Sequence, residues 1–62
     1  MQQFKVGNNW IEQQLKNDGN KTELVIQLNG HIFMFLREYK YLKISRVCRK
    51  LVEKGLIKPE DI

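Results

Sequence analysis

Apolar and polar positions are most informative in the middle of the chain. In "TELVIQLNGHIFMFLR", β-branched, aliphatic and aromatic residues run up to Asn29-Gly30 and away from it. Asn-Gly is the preferred pair of a two-residue type I′ turn, because both positions need a positive φ. The pattern predicts a β-hairpin over residues 22–28 and 31–37. In a two-residue hairpin Leu28 faces His31, Ile26 faces Phe33 and Leu24 faces Phe35. One side then carries Leu24, Ile26, Leu28, His31, Phe33 and Phe35. The other carries Glu23, Val25, Gln27, Ile32, Met34 and Leu36. Neither side is polar enough to be left in water, so the hairpin is expected to need a cover on both.

The period changes further on. In "KISRVCRKLVEKG" the residues Ile44, Val47, Cys48, Leu51 and Val52 follow an i, i+3, i+4, i+7, i+8 spacing, the mark of an amphipathic helix. Ser45 fits the N-cap, Gly55 a left-handed ending with Leu56 folding back on Leu51, and Pro59 forbids continuation. The predicted helix spans residues 45–55 and covers the first side of the hairpin. Near the start, "NNWIEQQLKNDG" offers Asn9 as N-cap with Glu12 three residues later, a capping box. Trp10, Ile11 and Leu15 share one side, and Gly19 can end the element. A second reading makes residues 10–16 a third strand, joined to the hairpin by "NDGN". The adjacency of Trp10 and Ile11 spoils strict alternation, so the helix is preferred. "QFKV" reads as a short edge strand.

These elements make a single small α+β domain over residues 1–62: an N-terminal helix, a central antiparallel hairpin with an extra edge strand, and a C-terminal amphipathic helix packed on the sheet. A chain this short buries only about 60% of the surface its unfolded form exposes, so its stability is marginal. The two-sided hairpin points to a homodimer, with Val25, Ile32, Met34 and Leu36 as its interface.

Cysteine and histidine narrow the chemistry. Cys48 is the sole cysteine and His31 the sole histidine, so neither an internal disulfide nor a four-ligand zinc site can be built by one chain. His31 sits beside the turn with no predicted carboxylate or nucleophile near it. Glu12, Glu23 and Glu38 belong to different elements, Cys48 lies on an apolar helix side, and no glycine-rich phosphate loop occurs. The chain is therefore not expected to be an enzyme, and no cofactor or metal is expected. The opening "MQQFKVGNNW" has no apolar signal core, and "HIFMFL" is too short to cross a bilayer. With an unpaired cysteine suited to a reducing compartment, the expectation is a cytoplasmic protein without membrane contact.

Charge changes the picture most. The chain carries a net charge of +4, and residues 37–62, with eight Lys or Arg against four Asp or Glu, hold the whole excess. At about 100° per residue, Lys43, Arg46, Arg49, Lys50 and Lys54 fall opposite the apolar side of the helix, with only Glu53 among them. Arg37 and Lys40 extend that patch. Such a surface suits a polyanion, and each phosphate it met would release counterions and make binding salt-sensitive. The plainer reading is the wet side of an amphipathic helix.

The stretch "ISRVCRKLVEKGLI" resembles the recognition-helix segment of winged-helix regulators, in which a Ser/Thr-capped basic helix ends in a "KGLI"-type turn. The resemblance is confined to that stretch and implies DNA contact by Arg46, Arg49 and Lys50. In that family a hairpin wing follows the helix, whereas here the hairpin comes first. Aromatic residues add a second hint. Phe33 and Phe35 alternate on one strand, and Tyr39 and Tyr41 interleave with Arg37, Lys40 and Lys43. Aromatics on an open sheet can stack on unpaired bases, although in so small a domain they more often fill the core. The function expected is a small nucleic-acid-binding regulator or accessory protein, with DNA favoured over RNA. The alternative is a protein-interaction module, an inhibitor or adaptor, that binds a protein partner through the apolar hairpin side or an edge strand.

Overall fold

A computed structural model describes residues 1–61. Four strands, β1 (Gln2–Val6), β2 (Asn9–Asp18), β3 (Lys21–Leu28) and β4 (His31–Leu36), form one antiparallel sheet in the order β1-β2-β3-β4. A single α-helix, α1 (Ile44–Glu53), follows, and a short 3₁₀ turn spans Pro59–Asp61. Each strand pair is joined by two residues: Gly7-Asn8, Gly19-Asn20 and Asn29-Gly30. Asn29 (φ 51°) and Gly30 (φ 86°) take the type I′ geometry that their dipeptide predicts. Asn29 also ties its turn to β2. Its N–H donates to the Trp10 carbonyl at 2.7 Å, and its Oδ1 accepts from the Trp10 N–H at 2.8 Å.

The N-terminal helix does not exist, and the two-helix α+β architecture gives way to a four-stranded meander with one helix. Residues 9–18 instead form the longest strand, paired on both sides. Ile11, Gln13 and Leu15 point inward while Trp10, Glu12 and Gln14 point outward, so the alternation is regular. The adjacency of Trp10 and Ile11 does not break it, because Trp10 is exposed, and the polar Gln13 holds a core position with 0% of its surface exposed. Glu12, instead of closing a capping box, accepts a hydrogen bond from Gln3 Nε2 across the strand pair at 2.8 Å. With one α-helix among the described residues, the helix pair of a helix-turn-helix is absent too.

The hairpin register also departs from expectation. Leu28 pairs with His31 and Gln27 with Ile32, but Ile26 pairs with Met34, not Phe33. Phe33 is therefore an extra residue on β4, a β-bulge. Beyond it every side chain changes sides, since the strand period is two. Met34 and Leu36 join the inner side with Leu24, Ile26 and Leu28, and Phe35 is turned outward, opposite Val25.

The core lies between the inner side of the sheet and α1. Val6, Ile11, Leu24, Ile26 and Met34 from the strands meet Val47, Cys48 and Leu51 of α1, with Leu42 and Ile57 closing its ends. Placing Met34 and Leu36 here removes both from the expected dimer interface. The outer side now presents Glu23, Val25, Gln27, Ile32 and Phe35, so Phe35 takes the place of Met34 and Leu36 there. Of these, Val25 is already buried within its own sheet.

Candidate nucleic-acid interface

The helix that carries most of the basic residues is well specified at its C-terminal end. Leu56 N–H donates to Leu51 O at 2.9 Å and Gly55 N–H to Val52 O at 3.0 Å, with Gly55 at φ 72°. This is the Schellman pattern, which satisfies carbonyls that would otherwise lack partners. Ile57, not Leu56, then returns to the core. The start differs from expectation: Lys43 occupies the N-cap, Ser45 lies inside the first turn, and no side chain caps the helix. There is also no acidic residue in that turn. The positive end of the helix dipole therefore adds to the charge of Lys43 and Arg46 and is not offset.

Val47, Cys48 and Leu51 face the sheet and orient the rest of the helix. Lys43, Arg46, Arg49 and Lys54 are exposed, as are Arg37 and Lys40 on the segment leading to the helix, while Lys50 is half-buried. Among the described residues none of these seven side chains takes part in a side-chain hydrogen bond. Ile44, assigned by spacing to the apolar side, is half exposed. Burial pushes the Cys48 thiol above its ordinary pKa, as suits an inert core residue.

The connection from β4 into α1 is anchored by the buried Gln13. Leu42 N–H donates to Gln13 Oε1 at 3.0 Å, and Gln13 Nε2 donates to Leu42 O at 3.0 Å and to Gln2 Oε1 at 2.9 Å. One residue before the helix cap, the chain is thus fixed to the middle of β2. This sets where Lys43 and the residues behind it project.

Between β4 and α1 runs an open groove of about 610 Å³. Residues Ile32 to Leu36 line one side, and Lys50, Glu53 and Lys54 line the other. Two of the helix cations thus lie against the strand that the bulge has rotated. The outer side of the sheet carries further exposed apolar groups: Ile32, Phe35 (58% exposed) and Trp10 (57% exposed). Lys5 Nζ lies 5.9 Å from the Trp10 ring centroid, within cation–π range. Tyr39 is exposed beside Arg37 and Lys40, whereas Tyr41 packs against the core.

Of the side chains expected to form an interface, Ile32 is exposed, Val25 is buried, Met34 belongs to the core and the half-buried Leu36 packs against it. Phe35 and Trp10 were missed as surface groups. Trp10 could have been found from the alternation of β2 once Gln13 was accepted as inward-facing, but the rotation of Phe35 depends on a bulge that has no local signature in "HIFMFL". No helix is long and apolar enough to cross a membrane. No protein-family model matches this chain, and neither curated proteins nor solved structures provide a significant match.

Proposed function

We propose that this protein is a small non-enzymatic nucleic-acid-binding factor that engages phosphates through the outer side of α1 and the segment before it. The observation that supports this reading most is the exposure of Arg37, Lys40, Lys43, Arg46, Arg49 and Lys54 on one continuous stretch of chain, with Val47, Cys48 and Leu51 buried behind them. An amphipathic helix that needed only a wet side would mix its charges, and here Glu53 is the sole acid on α1. A cationic helix surface next to an uncompensated helix N-terminus concentrates positive potential where a phosphate backbone can follow it.

The test is binding of single-stranded and duplex oligonucleotides at about 50 mM and about 200 mM salt. Contacts with several phosphates predict a loss of affinity of one or more orders of magnitude across that range. Replacing Arg46 and Arg49 together by Glu is expected to abolish binding while leaving the fold intact, because both side chains are exposed. Absence of binding to either nucleic acid at the lower salt would end this reading. A protein-interaction module is the second reading, and the exposed Ile32, Phe35 and Trp10 on the outer side of the sheet favour it. It predicts that the Glu pair is harmless to function, and that a polar residue at Ile32 is not.

A further inference from the structure

The helix α1 covers only the inner side of the sheet, and the outer side differs in charge from the rest of the molecule. Across β2 and β3 its charged residues oppose one another in register, Lys16 with Glu23 and Asp18 with Lys21. With Lys5 and Glu12, the four strands place three cations and three anions there, so this side has no net charge on a chain of net charge +4. Glu12 already accepts a hydrogen bond from Gln3, and Lys5 already lies over the Trp10 ring. Trp10, Ile32 and Phe35 stand exposed on the same side, with Val25 opposite Phe35. A neutral surface has no pull on a polyanion, and its apolar groups favour a cover other than water.

Size and charge select a second copy of the chain as that cover. At about 3.3 Å per residue and about 4.8 Å between strands, the ten residues of β2 and the four strands give the sheet a face of about 600 Å². Two such faces together bury about 1,200 Å², the lower end of a specific interface, and only a partner that matches the whole face reaches it. A second sheet does so, stacking about 10 Å away with its strands turned by about 30°. Each α1 then lies on the far side of its own sheet. At about 10 Å per packed layer the two cationic helices are about 30 Å apart, several screening lengths of about 8 Å, so the net charge hardly opposes the contact. Edge-to-edge pairing of β4 fits less well. The bulge at Phe33 interrupts its row of backbone donors and acceptors, and the groove beside that edge is bordered by Lys50 and Lys54, like charges in both copies.

We infer that the chain self-associates through the outer side of its sheet into a face-to-face dimer, with Trp10, Ile32 and Phe35 buried between the copies. An interface of this size gives a dissociation constant in the micromolar range, and well below it the monomer prevails with Phe35 at its surface. The test is analytical ultracentrifugation of the full chain from about 1 to about 500 µM, with the emission of Trp10, the sole tryptophan, followed over the same series. The mass should double and the emission should shift to the blue as concentration rises. Raising salt from about 50 to about 500 mM should tighten the dimer, the opposite of its effect on a phosphate contact. Ile32→Thr with Phe35→Thr keeps strand propensity and should weaken association tenfold or more, with the circular dichroism of the parent retained. Arg46→Glu with Arg49→Glu, on the far side, should not weaken it. A chain that stays monomeric throughout would overturn the inference without recourse to any variant. So would a dimer indifferent to the Thr pair, which would place the contact elsewhere. A monomer whose Trp10 emission is quenched by single-stranded DNA would also overturn it and assign this side to a nucleic acid. None of these results touches the reading of α1, which stands or falls with Arg46 and Arg49.

Discussion

The side-chain amide of Gln13 grips the backbone of Leu42 at both of its polar groups, accepting from the Leu42 N–H and donating to the Leu42 carbonyl, each at 3.0 Å. It does what a neighbouring strand would do, at a point where no strand is present. The bond joins residues separated by 29 positions and fixes the approach to α1 against the centre of the sheet. Gln13→Leu keeps the volume but leaves both backbone groups of a buried residue without partners, at about 1–3 kcal/mol each. The variant is expected to lose about 2–4 kcal/mol in urea denaturation, a large part of the stability of so small a domain. A Gln13→Leu protein as stable as the parent would show that the clasp is dispensable.

The bulge at Phe33 makes opposite predictions for adjacent residues. Met34 is buried against the helix, and Met34→Ala should cost about 2–5 kcal/mol. Phe35 is mostly exposed, and Phe35→Ala should cost less than about 1 kcal/mol. A regular hairpin would reverse the order, so paired denaturation curves of the two variants decide the register in solution.

Gly7 and Gly19 both open two-residue turns with positive φ, +60° and +65°, yet they differ in surroundings. A Cβ at Gly7 would lie 2.8 Å from the carbonyl oxygen of Asp61, where the 3₁₀ turn packs on the first hairpin, whereas a Cβ at Gly19 meets nothing within 4 Å. Both Ala variants bear the conformational cost of about 1 kcal/mol. Gly7→Ala is expected to be worse than Gly19→Ala by at least about 1 kcal/mol, measurable by thermal melts of the pair.

Cys48 links stability to alkaline pH. Burial raises its thiol pKa, so the folded state favours the protonated form. That preference costs nothing while the unfolded thiol is also protonated. It turns into lost stability as pH rises past the pKa of the unfolded thiol, which then ionises more readily than the folded one. The wild-type urea midpoint should therefore fall more steeply than that of Cys48→Ala above about pH 8.5, the ordinary thiol range. Parallel profiles for the two proteins would refute the linkage. Native Cys48 should also react with thiol reagents far more slowly than the urea-unfolded chain.

Arg49 tests the charge model without touching the fold. Its side chain is exposed on the helix surface away from the sheet. Arg49→Gln should change stability by less than about 0.5 kcal/mol. If Arg49 meets a phosphate, the variant should reduce the slope of log affinity against log salt by about 0.7 for a single strand. An unchanged slope would place Arg49 outside the contact surface.

Several features were legible from short stretches of sequence because their causes are local. The turn at Asn29-Gly30 follows from two residues that accept positive φ. The helix follows from apolar spacing within ten residues, and its ending follows from Gly55. The clustering of cations after Leu36 is a property of the sequence whatever the fold. The strand reading of residues 10–16, set aside in favour of a helix, is the one that holds within β2. Its inward position 13 carries a glutamine whose partner, Leu42, is distant in sequence, and a buried polar residue looks like a surface one until that partner is known.

By itself, the amino-acid sequence determined the turn at Asn29-Gly30, which segment is an amphipathic helix, and that the positive charge collects in the second half. Tertiary structure alone decided that residues 9–18 are a strand and that Phe33 bulges. It also decided that Phe35 lies outside while Met34 lies inside. The first group depends on dihedral preferences and periodicity within a few residues. The second depends on which distant groups satisfy buried polar atoms and fill the space under the helix, and that is set only when the sheet and helix meet.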